Sequence, residues 1–264
     1  MNHDDLRRRL EFYRDIGIPT VIRRRAAAHV LDSQEPSRVS EQAVPEPAPG
    51  TGCEPADPLP AAEPVISLPS LAPDGDTLLR ILTDIGDCTR CPLHSGRNKL
   101  VFGVGNEEAR LVFVGEGPGA DEDEQGIPFV GRAGQLLTQM IEGTASKEGI
   151  PLKRADVYIC NVVKCRPPQN RTPEPQEMEI CGEFLFRQLM VLKPQAICAL
   201  GGTAAKALLG AKEGVTRLRG NWHKWRDIPV MVTYHPSYLL RPYNQNAKRE
   251  AWDDLKKVLH YVYD

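Results

Sequence analysis

Four short apolar runs constrain this 264-residue chain more than any other feature: Leu111–Gly115, Val157–Val163, Ala196–Leu200 and Pro229–Thr233. Each is apolar at consecutive positions rather than at alternate ones. That pattern belongs to strands buried on both faces. Helical patterns separate them: Gly134–Ile141, Pro175–Leu192 and Thr203–Leu209, with Thr77–Asp87 before and Ala247–Tyr261 after. Strands alternating with helices imply right-handed crossovers and a parallel sheet covered by helices. The expected fold class is α/β. In such folds ligands bind beyond the carboxyl ends of the strands, and the glycine-, proline- and cysteine-rich segments follow those ends.

Composition divides the chain. Residues 1–31 carry seven Arg against four acids and contain a short helical pattern at Leu6, Leu10 and Tyr13. Residues 32–76 hold ten of the 23 prolines and nine acids against one Arg. That stretch has too little apolar surface to offset ordering entropy and reads as a flexible linker. Residues 77–264 are net +3, which permits a nucleic-acid partner despite the overall charge of −2. The expected organisation is a helical extension (1–31), a Pro/Ala/Glu-rich linker (32–76) and a folded domain (77–264). The first two are a candidate arm for a protein partner. No apolar run is long enough for a membrane span. The arginine-rich start has no apolar core of a secretory signal. A cytoplasmic, monomeric protein is expected.

Seven cysteines in a reducing compartment suggest metal ligation rather than disulfides. Cys88 and Cys91 form a C-x2-C pair, and Cys165 and Cys181 a C-x15-C pair. Four thiolates suit structural zinc or an iron–sulfur cluster. The wide second spacing does not match a zinc-ribbon knuckle and favours the cluster. Cys160 and Cys198 lie within strand runs and read as small buried apolar residues. Cys53 falls in the linker.

The first strand ends in Gly115-Glu116-Gly117-Pro118-Gly119, followed by Glu122. No Gly-Lys-Ser/Thr follows, so this is not a phosphate loop; the glycines let backbone approach a ligand. Phe129, in a Pro-Phe-Val-Gly loop, offers a stacking face for a planar base. Asn161 ends the second strand, with a carboxamide able to read a donor–acceptor edge. The loop after it carries Lys164, Arg166 and Arg171, read as phosphate contacts. The last strand ends in His235-Pro236-Ser237-Tyr238-Leu239-Leu240-Arg241. There Ser237 and Arg241 read as phosphate contacts and Leu239, with its apolar neighbours, as a wedge into a base stack.

These motifs, in this order, resemble the family 4 uracil-DNA glycosylases, the iron–sulfur branch of the uracil-DNA glycosylase superfamily. The residues carrying the resemblance are Cys88-x2-Cys91, GEGPGADEDE (115–124), PFVGRAGQLL (128–137), NVVKCRPPQNRTP (161–173), Cys181 and HPSYLLR (235–241). It covers 77–264 and leaves 1–76 unassigned. It implies a three-layer α/β/α sandwich around a four-stranded parallel sheet. It implies a [4Fe–4S] cluster on Cys88, Cys91, Cys165 and Cys181. It also implies a monofunctional enzyme that flips uracil from single- or double-stranded DNA and hydrolyses its N-glycosidic bond. By the same resemblance Phe129 stacks on the base, Asn161 reads its polar edge, and His235 lies on the O2 side. Gly115, Glu116, Gly117 and Glu122 line or flank the pocket. Better-known members of the superfamily have an Asp where this chain has Gly117, which leaves Glu116 as the nearest carboxylate to orient water. A close relative bonds covalently to DNA through a His in the loop after the second strand. Here that loop reads RPPQNRTP and has none, so turnover is expected. The competing readings are a non-catalytic iron–sulfur DNA-binding module and a zinc-stabilised nucleotide hydrolase. Phe129, Asn161 and His235 sharing one cavity would separate the enzyme from both.

Overall fold

The structure, a computed structural model, describes residues 72–241 and 243–264. The expected helix in 1–31 and most of the expected linker lie outside the described residues. Asp76, placed in the linker from sequence, already belongs to the folded part: Arg187 donates to both its carboxylate oxygens at 2.7 and 3.0 Å.

Helix α1 (Leu78–Ile85) is capped by Thr77, whose hydroxyl accepts from the Arg80 N–H at 3.1 Å. There follow β1 (Val104–Gly105), β2 (Leu111–Gly115), α2 (Ala120–Gln125), α3 (Arg132–Lys147), β3 (Tyr158–Asn161) and α4 (Pro175–Leu192). Then come β4 (Ala196–Leu200), α5 (Gly202–Leu209), α6 (Val215–Leu218), β5 (Trp222–Trp225), β6 (Ile228–Thr233), α7 (Pro236–Leu239) and α8 (Gln245–Tyr263).

The four apolar runs form the central parallel strands β3-β2-β4-β6, as their composition requires. The sheet is wider than expected. Two antiparallel edge strands, β1 beside β3 and β5 beside β6, bring it to six in the order β1-β3-β2-β4-β6-β5. Both edges are invisible to the apolar-run criterion: β1 is two exposed residues, and β5 reads Trp-His-Lys-Trp with one buried residue.

Alternate residues of each strand feed two apolar layers. On one face Val112, Val114, Cys160, Ile197 and Val230 pack with Ile81 of α1, Leu185 and Leu189 of α4 and Leu208 of α5. On the other, Leu111, Phe113, Ile159, Cys198 and Met231 pack with Leu137 and Ile141 of α3 and Leu255 and Val258 of α8. Cys160 and Cys198 are fully buried, as their setting in strand runs predicts.

From β2 the chain crosses to β3 on one side and then returns past β2 to β4 on the other. The carboxyl ends of β2 and β4 therefore flank the topological switch point, where open α/β sheets place their ligands.

Candidate active site

A cavity of about 420 Å³ opens at that switch point, lined among others by Glu116, Gly117, Phe129, Asn161, Asn170 and His235. The three residues expected to hold a base are therefore brought together. The Phe129 and His235 ring centroids are 5.6 Å apart and tilted by 36°. Gly115 and Asn161 form the last matched pair of β2 and β3. A methyl group on Gly115 would lie 2.5 Å from Phe129 Cζ and collide with Asn161 Oδ1. Glycine is required there because two pocket side chains occupy the space of its missing Cβ.

Phe129 is buried, with a left-handed backbone (φ +54°) rare for an aromatic residue. Two braces hold it. The Glu122 carboxylate accepts from the Gly119 N–H (3.0 Å) and from the Val130 and Gly131 N–H groups (2.9 Å each). This joins the loop after β2 to the loop carrying Phe129. The Arg154 guanidinium, not singled out from sequence, donates to the Pro128 carbonyl and to the Thr138 hydroxyl, both at 2.9 Å. Glu122 thus works mainly as a brace at the pocket wall.

Asn161 is buried at 1% exposure, and its Oδ1 has no partner among the described residues. His235 Nε2 is likewise buried and unpartnered. At the other nitrogen the backbone N–H of Ser237 donates to His235 Nδ1 (3.2 Å), and the Ser237 hydroxyl lies 2.7 Å from it. Since Nδ1 accepts a backbone proton, the neutral ring carries its own proton on Nε2. Burial pushes the His235 pKa down to about 4, with the charge of Glu122 opposing. The imidazole is neutral at pH 7 and presents an N–H donor to the cavity. Ser237, expected at a phosphate, is exposed at the rim of the cavity with its hydroxyl against His235.

Glu116 accepts a hydrogen bond from the hydroxyl of Thr203, which stands in the first turn of α5 beyond β4. This contact spans the switch point, and no sequence signal identified Thr203. At Gly117 a Cβ would lie 2.7 Å from Val163 Cγ2, so a side chain there conflicts with the packing of the loop after β3.

Two expected DNA contacts are corrected. Lys164 is not at the surface: it is fully buried, donating to the Asn161 carbonyl (2.8 Å) and to Gln188 Oε1 (2.6 Å). Leu239 is no wedge. It closes the one-turn helix α7 and packs into the core beside Leu255, because Pro236 starts a helical turn that points Leu239 inward. The exposed apolar ring of this segment is Tyr238, stacked on Tyr234 at 5.3 Å, with the Arg241 guanidinium over it. Arg241 is exposed, as a phosphate contact needs to be. Arg171 lines the cavity while bonded to both oxygens of Glu177 at 2.8 and 2.6 Å. Arg166 donates to Asn170 Oδ1 at 2.8 Å.

The four expected ligand cysteines are free thiols in the loop after α1, the loop after β3 and the middle of α4, near enough to act on one another electrostatically. Burial raises the pKa of Cys91, of Cys165 and of Cys181, the last to about 12, and neighbouring members of the group raise each further. N–H groups already point at the sulfurs: Arg97 donates to Cys165 Sγ (3.4 Å) and the Lys164 backbone to Cys181 Sγ (3.2 Å). Among the described residues, no three His, Cys, Asp or Glu side chains converge on a position for one metal ion. Among them, too, no helix is long and apolar enough to cross a membrane.

Residues 102–256 match the uracil DNA glycosylase superfamily. The chain is 45% identical to the type-4 uracil-DNA glycosylase of Thermotoga maritima, over 71% of this chain and 96% of that protein. It is 42% identical to the one from Archaeoglobus fulgidus over 69% and 92% of the respective lengths, and 40% identical to the one from Sulfurisphaera tokodaii over 69% and 84%. With the pocket residues and the four thiols in place, the chain belongs to the type-4 branch of the uracil-DNA glycosylase superfamily.

Proposed function

We propose that this chain removes uracil from DNA by hydrolysing the bond between C1′ and N1, releasing the free base and leaving an abasic site. One observation carries the reading. Two buried polar atoms without partners, Asn161 Oδ1 and the Nε2–H of His235, face one cavity beside an aromatic ring. Buried polar groups are almost always satisfied, so an acceptor and a donor left open together call for a ligand with a complementary edge. Uracil has one: N3–H for Asn161 and O2 for His235, with its face on Phe129.

The base must leave the stack to reach this cavity, at a cost of a few kcal/mol that is least for mispaired or unpaired uracil. As the bond to C1′ breaks, its electron pair moves to N1 and O2 and positive charge develops on the sugar. The neutral His235 donor stabilises the charge on O2 without giving up its proton. A single donor of this kind is typically worth about 10²–10³ in rate. Water then adds to C1′ and loses a proton to solvent, while the departing uracil anion takes one up from solvent, so that the free base and a neutral abasic sugar result. Thr203 fixes Oε2 of Glu116, leaving Oε1 to orient that water. Arg171, Arg166 and Arg241 are proposed for the DNA backbone, and Tyr238 for the gap left in the stack.

The donor set fits a [4Fe–4S] cluster held by Cys88, Cys91, Cys165 and Cys181. Four grouped thiols with N–H groups aimed at two of them suit a larger polynuclear centre. When bound, the cluster supplies thiolate–iron bonds that cross-link α1, the loop after β3 and α4. The residues of the cavity perform every chemical step.

The test is a uracil-containing oligonucleotide incubated with the protein and then treated with alkali. Strand breakage at uracil is expected from the wild type and near-absence of it from a His235→Ala, Asn161→Ala double variant. Equal breakage by both would refute the reading.

A further inference from the structure

Lysine is almost never fully buried unless paired with an opposite charge, yet Lys164 is fully buried and its two ammonium acceptors are neutral oxygens. Its position explains the arrangement. The Val162 N–H points to β2, so the Asn161 carbonyl of the same peptide points to the opposite side, past Ile159, the last β3 residue paired with β1, where that edge strand no longer supplies an N–H donor. A buried carbonyl left there would be orphaned; Lys164 Nζ takes the donor's place at 2.8 Å. The other side of the same peptide is held too, since the Val162 N–H donates to the Gly115 carbonyl at 2.9 Å. With both ends pinned, the peptide following Asn161 is held against rotation, which fixes the direction in which the Asn161 side chain leaves the backbone.

Lys164 is itself anchored from the cysteine side. Its backbone N–H donates to Cys181 Sγ at 3.2 Å. Its second ammonium acceptor, Gln188, stands on α4 with Cys181 and is held by donating to the Phe102 carbonyl at 3.1 Å. One residue thus bonds both to a thiol of the cysteine group and to the backbone of the base-reading asparagine.

We propose that Lys164 is a positioning residue. It fixes Asn161 for reading the base and makes that geometry depend on the seating of Cys181 and α4. The inference rests on the uracil reading of the pocket. It gives the cysteine centre a mechanical route to substrate selection that requires no contact with DNA.

The test is a double-mutant cycle in the full chain with its metal centre. The variants are Lys164→Met, Gln188→Leu and Asn161→Ala, with both combinations that include Asn161→Ala. Single-turnover excision and calorimetric binding of free uracil are the readouts, with thermal melting as the control on folding. Lys164→Met is expected to lower both excision and uracil binding about tenfold, and by less than about twofold once Asn161 is already Ala, since residues acting through one group are non-additive. Gln188→Leu shifts both in the same direction by less, and it carries the test if Lys164→Met does not fold. Losses that persist undiminished in the Asn161→Ala background would mark Lys164 as merely structural and overturn the proposal. So would wild-type excision and uracil binding by folded Lys164→Met. Wild-type excision by Asn161→Ala alone would instead remove the reading of the pocket, and this proposal with it.

Discussion

The Glu122 carboxylate is the point at which a modest substitution should disable the pocket without unfolding the domain. Its three N–H bonds, at 2.9–3.0 Å, join the loop after β2 to the loop that holds Phe129 in a left-handed conformation. Bonds to a charged acceptor contribute about 1.5–3 kcal/mol each, and half-buried ones belong at the low end. In Glu122→Gln the amide oxygen can keep the two bonds to Val130 and Gly131 in weaker, neutral form. The NH2 group then faces the Gly119 N–H, and that bond is lost. The combined loss is about 2–3 kcal/mol. At about 1.4 kcal/mol per tenfold, it corresponds to a fall of about 30- to 150-fold in kcat/KM if it falls on the competent loop geometry. Glu122→Ala removes all three bonds and should cost about 10³-fold. Excision kinetics on a uracil oligonucleotide measures the loss. Backbone hydrogen exchange locates it, because the amides of Gly119, Val130 and Gly131 should exchange faster in both variants while the strand amides do not. If Glu122→Ala excises uracil within about threefold of wild type, or if those three amides remain protected, the bracing role is wrong.

Three other predictions follow from the same geometry. His235, with its pKa pushed down to about 4 against an ordinary 6.5, should contribute no limb to the excision rate near pH 6.5, and its limb should appear near pH 4. The unfolded state takes up the proton first as pH falls, so stability is full above about pH 6.5 and declines toward pH 4; a wild-type minus His235→Phe comparison of melting temperature against pH checks it. Thr203→Val keeps the shape of the side chain but removes the donor to Glu116, and should lower kcat about tenfold with KM little changed, read from saturation kinetics. Arg241→Ala should weaken DNA binding and reduce the slope of log affinity against log salt by about one, read from titrations at several ionic strengths.

Sequence and structure agree most closely where burial is continuous. The runs 111–115 and 196–200 are strands to the residue because every position in them is buried, and an apolar run reports that directly. The pocket residues Phe129, Asn161 and His235 were legible because strand ends gather in one place in this class of fold, so residues far apart in sequence converge once the strand order is known. Thr203 was not legible. It is a small polar residue in an ordinary helix start, and only the return of the chain from β3 to β4 brings it to Glu116.

The two misplaced residues show a different limit. Lys164 and Leu239 were placed by side-chain type, a cation at the surface and an apolar run on an exposed loop. Their locations are decided by backbone needs instead. Beyond β3 the chain remains buried through Val162, Val163, Lys164 and Cys165, and a cation inside such a run has no solvent to reach, so it must find acceptors in the interior. The Asn161 carbonyl, at the end of the ladder, is one that lacks a backbone donor. At Leu239, proline at the first helical position forces one turn, and one turn is enough to swing the third residue after it from the solvent side to the core. In both cases an unsatisfied or constrained backbone group overrides the preference of the side chain. The consequence for function is specific. On the proposed reading, the surface that meets DNA carries the exposed Tyr238 and Arg241, while the buried Lys164 serves the pocket from behind.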